Sequence, residues 1–252
     1  MPCYSFINED FKDHARRVYE CVKKDGRMPV LTRKFMLIVN SIEKESVNNL
    51  KYDEFINDVI LIGATLHDIG KAIAHYQNGD LRSFKGHDFI GALIMYEAYR
   101  ALKESNCAIQ AIKLRGIDDL IQLLLIVPSL FHLYLHRGKE ESWKIQDIKY
   151  NISIPNIKIT NDCISAVIDV LNLVKDNASS EIGRNLTDCI INVFIKGSKV
   201  NDYLVKYGLH DLENTINMYY SRFNTTRGYN WFFESIIAIV NECDSEAAKS
   251  RR

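Results

Sequence analysis

Apolar residues recur at helical spacing along most of this chain. Asn8 and Asp10 can each cap a helix, and the pattern after them predicts a first helix over residues 11–24 that ends near Gly26. The same spacing predicts further helices at 31–44, 52–76, 87–104, 129–137, 162–175, 185–206, 210–222 and 230–248.

One stretch departs from the helical pattern. Residues 145–160 carry β-branched side chains around the turn Pro155-Asn156, which favours a small hairpin. We therefore predict an all-α fold, a helical bundle with at most a small β-hairpin.

No repeat or linker divides the chain, so one domain is expected. It would comprise a core at about 10–205, a C-terminal helical extension at 206–248 and a frayed tail at 249–252.

Composition and charge narrow the class of protein. Lys and Arg together number 32, as do Asp and Glu, so any attraction to nucleic acid must come from a local patch. No apolar run approaches the roughly 20 residues that cross a bilayer, and the N-terminus is too polar for a secretory signal. The six cysteines have no CxxC spacing. We expect reduced thiols, a cytoplasmic protein and no membrane partner.

The first candidate functional residues are the pair His67-Asp68, which lies inside the third predicted helix. A hydrophobic helix carries such a pair in its interior only when the polar groups find partners there. A divalent cation satisfies both side chains, and a carboxylate can bridge two ions. The alternative is an ordinary hydrogen-bonded pair in the core.

Other histidines strengthen the metal hypothesis. His14 lies in the middle of the first helix, and His87 opens the helix at 87–104, with Gly91 one turn later. A small residue there allows another element to approach closely. His132 and His136 are four residues apart and share one helix face, a spacing that suits metal ligands.

Together these residues resemble the HD superfamily of metal-dependent phosphohydrolases. The matching motifs are HxxxV at His14, LHDIGK at 66–71, GHDFIGA at 86–92 and the His-rich helix. The string HDIGKAIAHYQN at 67–78 resembles the signature of the CRISPR-associated HD nuclease. Tyr76-Gln77 favours that branch over HD enzymes that act on nucleotides. The resemblance covers about 10–205.

The resemblance implies a two-metal site. One ion would be held by His14, His67, Asp68 and a late aspartate, and Asp68 would bridge to a second ion. His87 and the His-rich helix would hold that second ion. The expected cofactors are one or two divalent ions among Mn, Ni, Co, Fe and Mg.

Two ligands of this set are uncertain. The family's His-rich helix ends in His-His-Gly, whereas this chain has His136-Arg137-Gly138, so a ligand is missing unless His132 supplies it. For the late aspartate the local sequence favours Asp202. The alternatives are Asp188 and Asp169.

Further residues have candidate roles around the site. Lys71, one turn from the pair, is expected to neutralise an anionic phosphate during catalysis with Asp68. His75 matches no ligand of the family, and His210 fits a helix cap or a surface pair. The stretch 218–233 mixes arginines with aromatic residues. It could form a surface that binds a nucleic-acid strand, or it could consist of core aromatic residues flanked by surface charges.

The resemblance implies a metal-dependent nuclease that cuts single-stranded DNA, as an endonuclease or exonuclease, in type I CRISPR interference. No GxxxxGK[ST] motif is present, so a separate helicase subunit and the RNA-guided surveillance complex are the expected partners. Two alternatives stay open. One is an HD phosphohydrolase of nucleotides or cyclic nucleotides, and the other is a non-catalytic HD scaffold.

Overall fold

The fold is all-α with a small β-hairpin, as predicted. The computed structural model describes residues 2–43, 52–105, 120–131, 151–195, 198–208, 214, 218 and 230–249. Within these ranges the two strands, β1 (Tyr4–Phe6) and β2 (Glu9–Asp10), form one antiparallel hairpin.

Ten α-helices lie within the described ranges. They are α1 (Phe11–Lys24), α2 (Arg27–Glu43), α3 (Tyr52–Thr65), α4 (Ala74–Gln77), α5 (His87–Glu104), α6 (Leu120–Phe131), α7 (Asn161–Asp176), α8 (Glu181–Ile195), α9 (Ser198–Tyr203) and α10 (Asn230–Lys249). Short 3₁₀ helices span Ile69–Ala72 and Ile154–Ile157, and a π-helical turn spans Leu204–Gly208.

The first helix shows how local sequence sets an element. The Asp10 side chain accepts a hydrogen bond from the Lys12 N–H, so Asp10 caps α1 as predicted. One face of α1 is buried, and this face includes His14 between apolar side chains. The predicted bounds of α1 and of α5 are both confirmed.

Helix α3 lies at the centre of the bundle, where α1, α2, α6, α7 and α8 all pack against it. Gly63 allows the approach of α6, because a Cβ there would lie 2.3 Å from the carbonyl oxygen of Leu124. Helix α10 packs against α1, α2 and α6, so residues 230–249 belong to the same bundle.

Three predicted elements differ from the observed ones. The helix expected at 52–76 ends at Thr65, because the chain turns there and continues as a 3₁₀ helix. In the hairpin expected at 145–160, Ile154–Ile157 is a 3₁₀ helix, while 145–150 lies outside the described ranges. Pro128 lies inside α6 rather than before a helix.

The prediction of reduced thiols is wrong. Cys3 is bonded to Cys163 and Cys21 to Cys243, and Cys189 is also disulfide-bonded. The first two pairs are 160 and 222 residues apart, so no local spacing could reveal them. Disulfides persist in oxidising compartments and inside some hyperthermophiles, so the cysteines no longer support a cytoplasmic location. No helix in the described part of the chain is long and apolar enough to cross a membrane.

Candidate metal centre

His67 and Asp68 lie in the turn that follows α3, and not within a helix. The turn is held by backbone hydrogen bonds from the N–H of Ile69 to Leu66 and from the N–H of Lys71 to Asp68, at 3.0 and 2.9 Å. Asp68 has φ −94° and ψ 8°, outside the helical region. Because the chain leaves the helix here, both side chains reach the same cluster of polar groups.

Gly70 brings this turn against the start of α5. A Cβ on Gly70 would lie 1.8 Å from the carbonyl oxygen of His87 and 2.6 Å from the nitrogen of Gly91. Gly91 in turn lies close to Ser129 of α6. The close approach expected at Gly91 is therefore confirmed, and it places His87 beside Asp68.

Four buried or nearly buried side chains form a cluster that could hold a metal ion. The ligand atoms of His14, His67, Asp68 and Asp244 all lie within 4.8 Å of one another. His14 Nε2 is 3.3 Å from Asp68 Oδ2 and 3.1 Å from Asp244 Oδ1. His67 Nε2 is 3.7 and 3.6 Å from the same two oxygens. Helices α1 and α10 and the turn after α3 thus meet at one point.

The four separations between imidazole nitrogens and carboxylate oxygens, 3.1 to 3.7 Å, are close to those of ligands on a single ion. Ligand atoms that each lie about 2.0–2.2 Å from one metal are separated from one another by about 3.0–3.6 Å. Two imidazoles and two carboxylates also form a donor set that suits a divalent transition metal. The cluster therefore fits a metal in both spacing and chemistry, and neither property identifies the element.

The second oxygen of Asp68 faces another histidine. His87 Nε2 lies 3.1 Å from Asp68 Oδ1, whereas His14 and His67 lie near Oδ2. Lys71 donates a hydrogen bond from Nζ to Asp68 Oδ2 at 2.5 Å. Asp68 is only 2% exposed, so its charge is balanced by these groups and not by water.

The ring orientation of each histidine is set through Nδ1. His67 Nδ1 lies 2.8 Å from the carbonyl oxygen of Ala64, and His87 Nδ1 lies 2.5 Å from that of Phe84. A carbonyl only accepts, so Nδ1 donates the hydrogen bond in both rings and Nε2 is the ring atom turned toward the cluster. His14 Nδ1 lies 3.3 Å from Glu9 Oε1. In all three rings Nε2 faces Asp68.

The electrostatics favour a cation at the centre. Burial raises the pKa of Asp68, but Lys71 and His67, followed by hydrogen bonds from His14 and His87, hold it well below its usual range. Burial also opposes ionisation of Asp244, whose pKa is lowered mainly by hydrogen bonds with His14 and His67.

His14 responds in the opposite direction. Burial lowers the pKa of its imidazole, but hydrogen bonds with Asp244, Asp68 and Glu9 outweigh burial and raise the pKa to about 10. Positive charge is therefore stabilised between Asp68 and Asp244.

The aspartate that lies with His14, His67 and Asp68 is Asp244 of α10, whereas Asp202, the aspartate favoured from the sequence, lies outside this cluster. Asp202 is exposed and lines a surface depression with Ile159 and Asn201. The sequence does contain a signal for Asp244, which follows Ile237 and Val240 at helical spacing on the buried face of α10. The resemblance did not extend to this helix.

The other two aspartates that were considered also lie elsewhere. Asp188 accepts a hydrogen bond from Lys175 at 2.7 Å and is half exposed. Asp169 pairs with Lys12 on the surface.

The remaining histidines and the predicted strand-binding stretch do not belong to the cluster or lie outside the described residues. His75 is half-buried beside a cavity that includes Tyr76 and Lys85, and it is absent from the four-residue cluster. His132, His136 and His210 lie outside the described residues, as do residues 219–229 of the predicted strand-binding stretch. Their roles stay predictions.

Tyr76-Gln77 has a structural role here. Gln77 donates from Nε2 to the carbonyl oxygens of Tyr4 and Lys71 at 2.8 and 2.7 Å, and its Oε1 accepts from the Tyr4 N–H at 2.9 Å. Tyr76 donates to the carbonyl oxygen of Lys85 at 2.6 Å. Gln77 therefore joins the N-terminal hairpin to the turn that carries Asp68.

Comparisons with protein-family models, with curated proteins and with solved structures found no match.

Proposed function

We propose that this chain is a divalent-metal-dependent phosphodiesterase of the HD type that hydrolyses single-stranded DNA. One observation carries the proposal. Four side chains from three distant parts of the chain, His14, His67-Asp68 and Asp244, bring their ligand atoms together. Such a buried cluster is costly to maintain without a cation. The HDIGKAIAHYQN string and the GHDFIGA motif support the reaction class.

The charges of the site suit an ion and a phosphodiester together. Asp68 and Asp244 contribute two negative charges, and Lys71 contributes one positive charge, so a divalent ion leaves the centre positive. A bound divalent ion would lower the pKa of a water molecule and withdraw charge from the phosphate. Lys71 would keep Asp68 oriented and add positive charge where the phosphate develops negative charge.

His87 is the basis for proposing a second ion. It approaches Oδ1 of Asp68, while His14 and His67 approach Oδ2, so the carboxylate faces histidines on both oxygens. His132 or His136 would complete that second set. We therefore propose one or two ions, drawn from Mn, Ni, Co, Fe and Mg.

The substrate and partners rest on the resemblance. The string through Gln77 is similar to CRISPR-associated HD nucleases, so we propose single-stranded DNA as substrate and a separate helicase with an RNA-guided surveillance complex as partners. Such a protein would act in the cytoplasm.

A cleavage assay with purified protein tests the proposal. Labelled single-stranded DNA, mononucleotides and cyclic nucleotides are each incubated with the chain in Mn²⁺ or Ni²⁺. We expect the DNA to be cut, Asp68→Ala to abolish cutting and Asp202→Asn to cut normally. Equal cutting by the wild type and by Asp68→Ala would refute the site. Hydrolysis of the small phosphates alone would replace the nuclease with a nucleotide phosphohydrolase, and an inert wild type would favour a scaffold.

A further inference from the structure

The three histidines that face Asp68 are not held in the same way. His67 and His87 are oriented by the carbonyl oxygens of Ala64 and Phe84, which any residue at those positions would provide. His14 is oriented by a side chain, the carboxylate of Glu9. The partner of His14 Nδ1 is therefore a side chain, which a substitution can remove, whereas a backbone carbonyl stays in place.

Glu9 is itself held firmly. It lies on β2, is 5% exposed and accepts a hydrogen bond from Ser5 Oγ on Oε2 at 2.7 Å. Arg17 of α1 pairs with the other oxygen, Oε1, with Nη2 at 2.5 Å. A carboxylate paired with a guanidinium keeps its negative charge and a fixed position. Glu9 therefore presents a charged acceptor to His14 Nδ1.

The hairpin that carries Glu9 is anchored to the rest of the centre. Gln77 bonds to both backbone groups of Tyr4 and to the carbonyl oxygen of Lys71. The disulfide between Cys3 and Cys163 fastens the start of the hairpin to α7. These contacts hold Glu9 at a defined position relative to the turn that contains Asp68.

We propose that Glu9 is a positioning residue of the metal centre, which acts through His14. Its carboxylate accepts a hydrogen bond from Nδ1, which leaves Nε2 as the ligand atom and directs it to the space between Asp68 and Asp244. A carboxylate partner also makes the imidazole a stronger ligand than a carbonyl partner does. This inference rests on the proposed metal binding, and it assigns to the N-terminal hairpin a part in forming the site.

The test measures Co²⁺ binding by the full-length chain, by chelator competition and by the visible spectrum of bound Co²⁺. Glu9→Gln keeps a neutral acceptor, whereas Glu9→Ala removes it. We expect Co²⁺ affinity to fall about 10-fold or more in Glu9→Ala and by a smaller factor in Glu9→Gln, with a changed spectrum in both. Glu20→Gln makes the same chemical change on the exposed face of α1 and should bind as the wild type does.

A second control separates positioning from fastening of the hairpin. Ser5→Ala removes one hydrogen bond that fixes Glu9 but keeps the carboxylate beside His14, so it should lower Co²⁺ affinity much less than Glu9→Ala does. Equal loss in Ser5→Ala and in Glu9→Ala would overturn the proposal. So would wild-type affinity and spectrum in both Glu9 variants. If the wild type binds no Co²⁺, the metal centre and this inference both fail. If Glu9→Ala does not fold, Glu9→Gln decides.

Discussion

The two carboxylates of the candidate site come from regions that are built differently. Asp68 lies in a turn whose backbone hydrogen bonds are local and whose position depends on Gly70 against α5. Asp244 lies in α10, far along the chain, and reaches the site because α10 packs on α1. The disulfide between Cys21 and Cys243 fastens these two helices next to Asp244.

The difference shows which ligands a motif can reveal. A residue in a locally specified turn has a recognisable sequence around it, and the LHDIGK motif located Asp68, which lies in the cluster. A residue that reaches the site through long-range packing needs only to lie on the buried face of a helix. The residues next to it in the sequence therefore form no recognisable motif. Four changes test whether the two regions contribute to the site in these distinct ways.

The largest effect is expected on metal affinity when each carboxylate is neutralised. Asp68→Asn should weaken metal binding by about 1000-fold, or about 4 kcal/mol, because Asp68 contacts His14, His67, His87 and Lys71. Asp244→Asn should weaken it by about 100-fold, since it contacts only the two histidines on one side. Calorimetric titration with Mn²⁺ or Co²⁺ checks both. A larger loss in Asp202→Asn than in Asp244→Asn would contradict the assignment of the late ligand.

The next effect concerns the stability of the local turn. Gly70→Ala places a Cβ 1.8 Å from a backbone carbonyl, which cannot move without displacing the start of α5. We expect a loss of about 3 kcal/mol in the free energy of unfolding, measured by urea denaturation. Gly26→Ala is the control, because nothing lies within 4 Å of its added Cβ. Similar stabilities for the two variants would show that the turn is not tightly packed.

The attachment of α10 is tested by removing its disulfide. The double variant Cys21→Ser, Cys243→Ser should lose about 2–3 kcal/mol of unfolding free energy, which is the typical stabilisation by one disulfide. It should also weaken metal binding modestly, since Asp244 follows Cys243 directly. Urea denaturation and metal titration give both values. Unchanged values would mean that helix packing alone positions Asp244.

The smallest effect, counted per pH unit, is expected from the titration of His14. His14 has a pKa raised from 6.5 to about 10, so its proton stabilises the metal-free fold below pH 6.5. That stabilisation is lost as pH rises from 6.5 through about 10, by at most about 1.4 kcal/mol per pH unit. Metal affinity should rise over the same window, because the ion must displace this proton. Denaturation of the metal-free protein and metal titration at several pH values check the two signs.

Asp244→Asn sharpens the pH experiment. Asp244 is one of the carboxylates that raise the pKa of His14, so its neutralisation should flatten both pH dependences. Identical slopes in this variant and in the wild type would place the titrating group elsewhere.

Much of the site could be predicted from the sequence because its parts are local. Helical spacing identifies α1, which carries His14, and α5, which carries His87. The Asp10 cap also marks the start of α1. The pair His67-Asp68 is identified by the motif around it. Lys71 was placed correctly near Asp68. The sequence could not show that Lys71 bonds directly to that carboxylate, because its orientation depends on the 3₁₀ turn.

The remaining features depend on contacts between distant segments. Helical periodicity alone determined that this chain is an all-α bundle with polar groups buried in its core. Tertiary packing decided that Asp244 joins the cluster, that Glu9 contacts His14 and that the cysteines pair. The physical reason is that a helix pattern specifies which face is buried, whereas only the packed bundle determines which buried side chains meet.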